Sequence, residues 1–580
     1  MQKSRLPLRS LLAAFALSLG ALPASAEIPT LLSRAEFSEP VAFSLVFPPR
    51  NAESLHELIE AQNRKGSPEY HKWLTPASFA ERFGPTADTL ERVGADLASR
   101  GLAVVEHRGQ LLRVSGTAGA VEAAFGIRLS HARFSDGSAA LVADHTPAMP
   151  PLLAASGAMT PDFSTAAPLH KESRILGPVP RNFISSTGPY FAADLRQAYD
   201  FPSATSLTAK GVHIGILMEG AFNPPDLATY FADDGLPASL QPSVNTVKIN
   251  GGLAYSTTNS GETHLDIQQA GAVSLQATMT LYNLSDLQLP TIIYGLNTIV
   301  SDNVADVVNM SFGGPEADLL PAANKGISQF YLFQMEDILF AQGTAQGITF
   351  VASSGDHGAI PLSAPSGKPT LNPQDPATDV YVVAVGGTNL VTAHTTGSNT
   401  SAYVSENANF DTLAGGEVWG SGGGISLFWA KPNFQTLVTT PSSVYRTIPD
   451  VAQHMGGCPG DAVKCNTPDS EDVEVIGGQE VGVIGTSASA PDITGLLALK
   501  IKLTGGRLGW ENVDIYTRAK TQNGGGSAKP FHHKGIPGNN GHYKTAVPYD
   551  LVIGNGTVDG RQLLGTTLPA AGIPGTASNP

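Results

Sequence analysis

Cysteine, positive charge and long apolar runs are all scarce in this chain. Two cysteines in 580 residues exclude a disulfide-stapled scaffold, and Cys458 and Cys465 have only His454 nearby as a further ligand type, too little for a zinc site. One local disulfide between them is the expected reading, with two free thiols as the alternative. Lys and Arg number 35 against 50 Asp and Glu, a net charge of −15. That balance argues against nucleic acid or an anionic membrane as partner. The longest apolar run, Leu11 to Leu22, is too short to span a bilayer. It follows Lys3, Arg5 and Arg9 and precedes Ala24-Ser25-Ala26, so residues 1–26 read as a secretory signal peptide. The mature chain is expected outside the cell or in the periplasm, with no membrane attachment. No internal repeat is present, which argues against an adhesive or scaffolding array.

What is present is apolar content, 42% of the chain, enough for more than one buried core. The first region alternates apolar residues at Val41, Phe43, Leu45 and Phe47. It then carries helical stretches at Leu55–Gln62, Ala87–Ser99 and Ala118–Phe125, with strands at Ala103–Val105 and Leu111–Val114. Strands and helices in that order predict an α+β unit with an antiparallel sheet. A looser stretch with Pro161, Pro168, Pro178 and Pro180 reads as a linker. From about residue 188, β-rich runs at Val212–Leu217, Val304–Met310, Ile348–Ala352 and Val380–Val385 alternate with helical stretches. They predict a doubly wound α/β domain on a parallel sheet. The resulting division is signal peptide 1–26, α+β domain 27–165, linker 166–187, α/β domain 188–565 and a disordered tail 566–580.

The chemistry-bearing motifs sit at the ends of those strands, where an open α/β sheet places its ligands. Gly485-Thr486-Ser487-Ala488-Ser489-Ala490-Pro491 puts a serine on a small-residue turn before an apolar helix, whose N-terminal N–H groups face a developing oxyanion. In Gly261-Glu262-Thr263-His264-Leu265-Asp266, Glu262 and Asp266 fall about 40° apart on a helical wheel, whereas His264 falls about 200° from Glu262. The histidine is thus badly placed to act with the carboxylates. An isolated acidic pair at this spacing is ordinarily a solvated helix face. Ser353-Ser354-Gly355-Asp356-His357-Gly358 follows a strand, and taken alone its Asp is as readily a turn residue. Ser421-Gly422-Gly423-Gly424 is a backbone-accessible run suited to lining a peptide cleft.

In combination these segments resemble the sedolisin (serine-carboxyl) peptidases, specifically members with a kumamolisin-type pro-domain. Further matches are Val307-Val308-Asn309-Met310-Ser311-Phe312-Gly313, Val385-Gly386-Gly387-Thr388 and Arg446-Thr447-Ile448-Pro449-Asp450-Val451. In the first domain, Tyr70-His71-Lys72-Trp73-Leu74-Thr75-Pro76 and Ser115-Gly116-Thr117 through Phe125-Gly126 match the pro-domain pattern. The resemblance implies a subtilisin-like catalytic fold behind an α+β pro-domain. It implies Ser487 as nucleophile, Glu262 as general base, Asp266 as its partner and Asp356 as an oxyanion donor, with Gly422, Gly423 and Gly424 binding substrate. It also implies protein or peptide substrates, an acidic optimum, a monomer, and a pro-domain that inhibits the cleft until the linker is cut.

No cofactor is needed for that chemistry. The family's structural calcium site is implied near the C-terminus, where Asp550 matches one ligand. Another ligand Asp is replaced by His533, and calcium prefers oxygen to imidazole nitrogen. The alternatives are a Ser-His-Asp peptidase, a tripeptidyl-peptidase rather than an endopeptidase, and a non-catalytic secreted binding protein with a vestigial site.

Overall fold

The computed structural model describes residues 29–571 except 135–136, 180–184, 322, 325–327, 360–370, 372, 395–400, 409, 413–417, 459–469 and 534. The signal peptide, Cys465 and residues 572–580 of the tail therefore lie outside the described residues.

The first domain carries two three-stranded antiparallel sheets instead of one. Pro40–Val46 pairs with Leu111–Thr117, which pairs with Ala103–Arg108; Thr30–Arg34 pairs with Leu129–Arg133, which pairs with Ala139–Ala143. The alternation read from the sequence buries Val41, Phe43 and Leu45 against Val114, Val121 and Phe125 in a core separate from the main one. Phe43 and Phe125 meet edge to face at 5.4 Å, a geometry that ring quadrupoles favour. One helix, Pro76–Phe83, is an addition to the sequence reading. Thr75 and Ser78 form a reciprocal capping box and Pro76 occupies the first turn, so local capping starts a helix too short to show a clear period.

The second domain is organised on one large sheet in the order Ser243–Lys248, Thr278–Leu284, His213–Glu219, Val307–Met310, Thr349–Ser353, Val382–Thr392, Val451–His454, Thr557–Val558, Phe531–His532. Pairing is parallel from Ser243–Lys248 through Thr557–Val558. Tyr403–Asn407 and Phe531–His532 add antiparallel strands. The central strands are buried on both faces, as continuous apolar runs require. Ser243–Lys248 and Thr278–Leu284, which the sequence reading omitted, carry alternating polar residues at the sheet's margin.

Helices Gly261–Ser274 and Thr486–Thr504 pack on each other and on the sheet, while Leu289–Asp302 and Tyr331–Ala345 form a second packed pair. The first domain rests on the second pair. Leu74 N–H and Gln62 Nε2 both donate to Ala345 O, at 2.9 and 3.0 Å, satisfying a carbonyl at the buried C-terminal end of that helix.

Two expectations are corrected. The stretch 166–187 is not a loose linker in its middle: His170–Lys171 and Arg174–Pro178 are strands paired with Phe312–Pro315 and Gln479–Ile484. Two strand edges left open by the catalytic domain satisfy its backbone groups. The start of the tail, expected to be disordered, is also held. Ala571 N–H donates to Phe201 O and Ser203 N–H to Pro569 O.

Candidate active site

Ser487 lies in the first turn of the Thr486–Thr504 helix and Glu262 in the first turn of Gly261–Ser274. The two helices approach closely because Gly495 has no side chain; a Cβ there would fall 2.7 Å from Val273 Cβ and 2.9 Å from Ala270 O. Both N-terminal ends thereby open on one spot, at the rim where the sheet strands end. All fourteen residues of Gly261–Ser274 are buried, which overturns the reading of Glu262 and Asp266 as a solvated face. Burying two carboxyls demands partners or neutralisation.

Each carboxyl has partners. Glu262 accepts from Ser173 Oγ; Ser487 Oγ lies close enough to lower the Glu262 carboxyl while donating to Ser311 O at 3.3 Å. Asp266 Oδ1 accepts from Ser311 Oγ at 2.6 Å, and Ser311 Oγ accepts from Asn309 Nδ2 at 2.9 Å. Asn309 is fixed in turn by Thr494 Oγ1 at 3.0 Å. Glu262 Oε1 and Asp266 Oδ2 are buried with no hydrogen-bond partner among the described residues, so the direct bond expected between the pair is not formed. Burial pushes Glu262 up to about 7, opposed by the Ser173 hydrogen bond, the nearby Ser487 hydroxyl and the Lys171 charge. Asp266 is pushed well above the usual carboxyl range by burial and then by the Glu262 charge. The two carboxyls therefore titrate as one pair that shares a proton over a range of pH.

Asp356 follows the Thr349–Ser353 strand. Its Oδ1 accepts from Thr486 N–H at 2.6 Å and Thr486 Oγ1 at 2.8 Å, which locks its carboxyl beside the Ser487 turn. Gly485, at φ +145°, completes that turn. A Cβ there would lie 2.3 Å from Glu172 O and 2.7 Å from Asp356 Oδ2, so glycine is required for the backbone to come this close.

The segment 170–178 fills the cleft between these groups. Ser487 N–H donates to Glu172 O at 2.9 Å, and Glu172 N–H donates to Ser311 O at 3.3 Å. Gly422 and Gly423 support the cleft from behind. Gly422 N–H donates to Gly355 O at 2.7 Å, and Cβ atoms on the two would fall 2.2 Å from Ser354 O and 2.3 Å from Leu551 O. Gly424 begins the Gly424–Ala430 strand. Their close contacts are thus to the Asp356 loop and to Leu551. His264 points away, as its wheel position requires: Nδ1 donates to Ser260 O at 2.7 Å and Nε2 accepts from Asn223 N–H at 3.1 Å.

Sequence reasoning missed Glu172, Ser173, Thr486 and Ser311 as members of the site. The last two lay inside quoted motifs; the first two lay in a stretch whose prolines hid its extended course.

The residues at Asp550 do not fit calcium. Its Oδ1 accepts from Val552 and Ile553 N–H and its Oδ2 from Ala546 N–H, each at 2.8 Å. The His533 ring nitrogen stands 3.2 Å from Oδ2. Backbone donors and an imidazole thus surround the carboxylate where a cation needs oxygens. Among the described residues no group of three metal-capable side chains occurs.

A subtilisin-like sheet with a serine at a helix N-terminus defines a serine peptidase. Residues 249–535 match the Subtilase family and residues 30–156 match the Pro-kumamolisin activation domain. Sedolisin of Pseudomonas sp. (strain 101) is 29% identical over 533 residues, covering 88% of this chain and 84% of that protein. Kumamolisin of Bacillus sp. (strain MN-32) is 27% identical over 557 residues, covering 92% of each. The solved Pseudomonas sedolisin, a serine-carboxyl proteinase complexed with two molecules of pseudo-iodotyrostatin, superimposes with a TM-score of 0.54 at 27% identity, over 66% of this chain and 98% of that one. The chain is a subtilase-like serine peptidase similar to the sedolisins and carries a kumamolisin-type activation domain.

Proposed function

We propose that this protein is an exported, acid-active endopeptidase made as a self-cleaving zymogen, with Ser487, Glu262 and Asp266 as its triad and Asp356 as an oxyanion donor. The observation that carries this reading is the backbone of segment 170–178, which runs extended through the cleft with the Glu172 carbonyl oxygen on the Ser487 N–H.

Ser487 Oγ attacks the carbonyl carbon while Glu262 takes its proton. The oxyanion is held by the Ser487 N–H and by the protonated Asp356 carboxyl, which donates where a carboxylate would repel. Collapse breaks the C–N bond, and Glu262 returns the proton to the leaving amine. Water, deprotonated by the same carboxylate, then releases Ser487 from the acyl-enzyme. With the linker in place burial holds Glu262 up at about 7, so the first cut in acid draws on its minor ionised fraction. Departure of the linker lets water reach Glu262 and relieves that burial, leaving the processed enzyme with more of the ionised base in acid.

Endopeptidase action is favoured over tripeptide release because the cleft holds a fourth residue before the Glu172 carbonyl. Leu169 is buried against Gly314, and its N–H donates to Leu287 O at 2.9 Å. A site releasing tripeptides must close after three. A local Cys458–Cys465 disulfide and independence from calcium belong to this reading; Cys458 is not a free thiol, and the Asp550 carboxylate already has its donors.

The test is incubation of the purified full chain at pH 4 beside Ser487→Ala. The wild type should convert to a shorter form and the variant should not; spontaneous conversion of the variant would refute self-cleavage.

A further inference from the structure

The contacts along segment 170–178 fix which peptide bond faces the nucleophile. An acyl-side residue is identified by its carbonyl in the oxyanion site, and Glu172 O alone accepts from Ser487 N–H. The residue after the bond is then Ser173, whose Oγ donates to Glu262, the group placed to protonate its departing nitrogen. The strands on either side agree: His170–Lys171 pairs on the acyl side with Phe312–Pro315, and Arg174–Pro178 pairs on the amine side with Gln479–Ile484.

The Glu172 side chain is buried in a pocket of its own. Its carboxyl lies against the Gln374 side chain and the Asp356 N–H, two contacts that favour the ionised form and are outweighed by burial and by neighbouring negative charge. A Cβ on Gly313 would fall 2.6 Å from Gln374 Oε1 and 3.3 Å from Glu172 Oε1, so the two side chains share the space that this glycine leaves open. Gln374 Oε1 is buried with no donor among the described residues. A carboxylic acid or a carboxamide supplies that donor; a carboxylate does not.

The charged groups around the pocket favour the neutral form. Burial raises the Glu172 carboxyl well above its ordinary range, and any negative charge on Asp356 of the strand-end loop or Glu262 of the helix adds to it. Asp375 lies next to Gln374, and its carboxyl is likewise held up by burial. The nearest cation, Lys171, is turned elsewhere: its Nζ meets Glu219 at 2.9 Å and Asn259 O at 2.8 Å.

We propose that the first cut falls between Glu172 and Ser173, and that the pocket formed by Gln374, Gly313 and the Asp356 N–H selects uncharged glutamate or glutamine before the cleaved bond, with a basic residue one position earlier. This rests on the peptidase reading above. Acid would then act on substrate as well as enzyme, because a glutamate must carry its proton to enter.

The full chain, taken briefly to pH 4, should yield a first product beginning at Ser173 by N-terminal sequencing. The processed enzyme should then be given peptides of residues 167–178 carrying Glu, Gln, Leu or Lys at position 172, at pH 4 and 6.5. Glu and Gln peptides should be cut with similar kcat/KM at pH 4, and the Glu/Gln ratio should fall at least about tenfold by pH 6.5, since ionisation costs the bound neutral form one factor of ten per unit above the free carboxyl's pKa. In Gln374→Leu the preference for Gln over Leu should drop by about tenfold while the Leu peptide is still cut. A first cut elsewhere, a Glu/Gln ratio constant with pH, or a preference unchanged in Gln374→Leu overturns the proposal. Cleavage of other bonds, absent in Ser487→Ala, would overturn this register and leave the peptidase reading standing; no cleavage of chain or peptides would overturn both.

Discussion

The two domains carry their carboxyl groups in opposite settings. In the catalytic domain Glu262, Asp266, Glu316, Glu336, Asp375, Asp379, Asp472, Glu474 and Asp492 are buried, and burial pushes every one of them upward, Glu316 to about 7 and Glu336 to about 8. In the pro-domain acids lie nearer the surface beside cations, as in Arg92–Asp88 and Arg100–Asp96. Asp162, at the junction, sides with the catalytic domain: though only half-buried, it is raised to about 6 by desolvation. A carboxyl held up by burial stabilises the fold while protonated, so that contribution is complete below the ordinary value near about 4 and is lost as pH rises through about 7 to 8. Lowering the pH therefore strengthens the peptidase body. The Arg108–Asp302 pair joins the two domains.

The sharpest way to break the comparison is at the site itself. Ser487→Ala should abolish peptide cleavage, and Glu262→Gln should lower kcat by about 10²- to 10⁴-fold, the range for a lost general base. His264→Gln should leave kcat within about tenfold of wild type, because His264 bonds Ser260 O and Asn223 N–H instead. Steady-state assays at pH 4 on folded variants check all three. Asp356→Ala should cost about 10²- to 10³-fold in kcat, as for loss of one oxyanion donor. Next comes the pH sign. Thermal unfolding of Ser487→Ala, which cannot digest itself, should show the catalytic-domain transition falling by at least about 5 °C between pH 4 and 7.5. A transition that rises over that window contradicts the buried-acid account.

Smaller effects sharpen it. His533→Ala should destabilise the catalytic domain by about 1–3 kcal/mol through a lost buried contact, and a calcium chelator should leave the wild-type Tm unchanged; a chelator-induced fall would restore the metal site. Arg34→Ala in the pro-domain should change stability by less than about 1 kcal/mol, since that guanidinium is half exposed. Denaturant unfolding measures both substitutions.

Much of this architecture was legible before any coordinates. Continuous apolar runs located the central strands, because strands buried on both faces leave no polar period. Val41, Phe43 and Leu45 betrayed one face of the pro-domain sheet. The helical wheel separated His264 from Glu262 and Asp266 correctly, since that angle depends only on the helix. What spacing alone left open was burial: the same i,i+4 pair reads as a solvated face until the Thr486–Thr504 helix is laid over it. The course of 166–187 was hidden for a related reason. Its strands are completed by edges more than a hundred residues away in sequence, at Phe312–Pro315 and Gln479–Ile484, and local composition carries no trace of such partners. His533 was legible as a departure from calcium chemistry, but its contact with Asp550 required the fold.

The central claim is that a serine nucleophile here depends on one carboxyl that is ionised and another that is not. The most direct test is the pH dependence of kcat/KM from pH 2.5 to 8 for wild type and Asp356→Asn, on a peptide with glutamine at the acyl position so that the substrate does not titrate. Wild-type activity should peak in acid and fall toward neutrality, and Asp356→Asn should keep its donor and extend activity to higher pH. A wild-type profile peaking above neutrality, or an active Asp356→Asn enzyme with an unchanged profile, would contradict it.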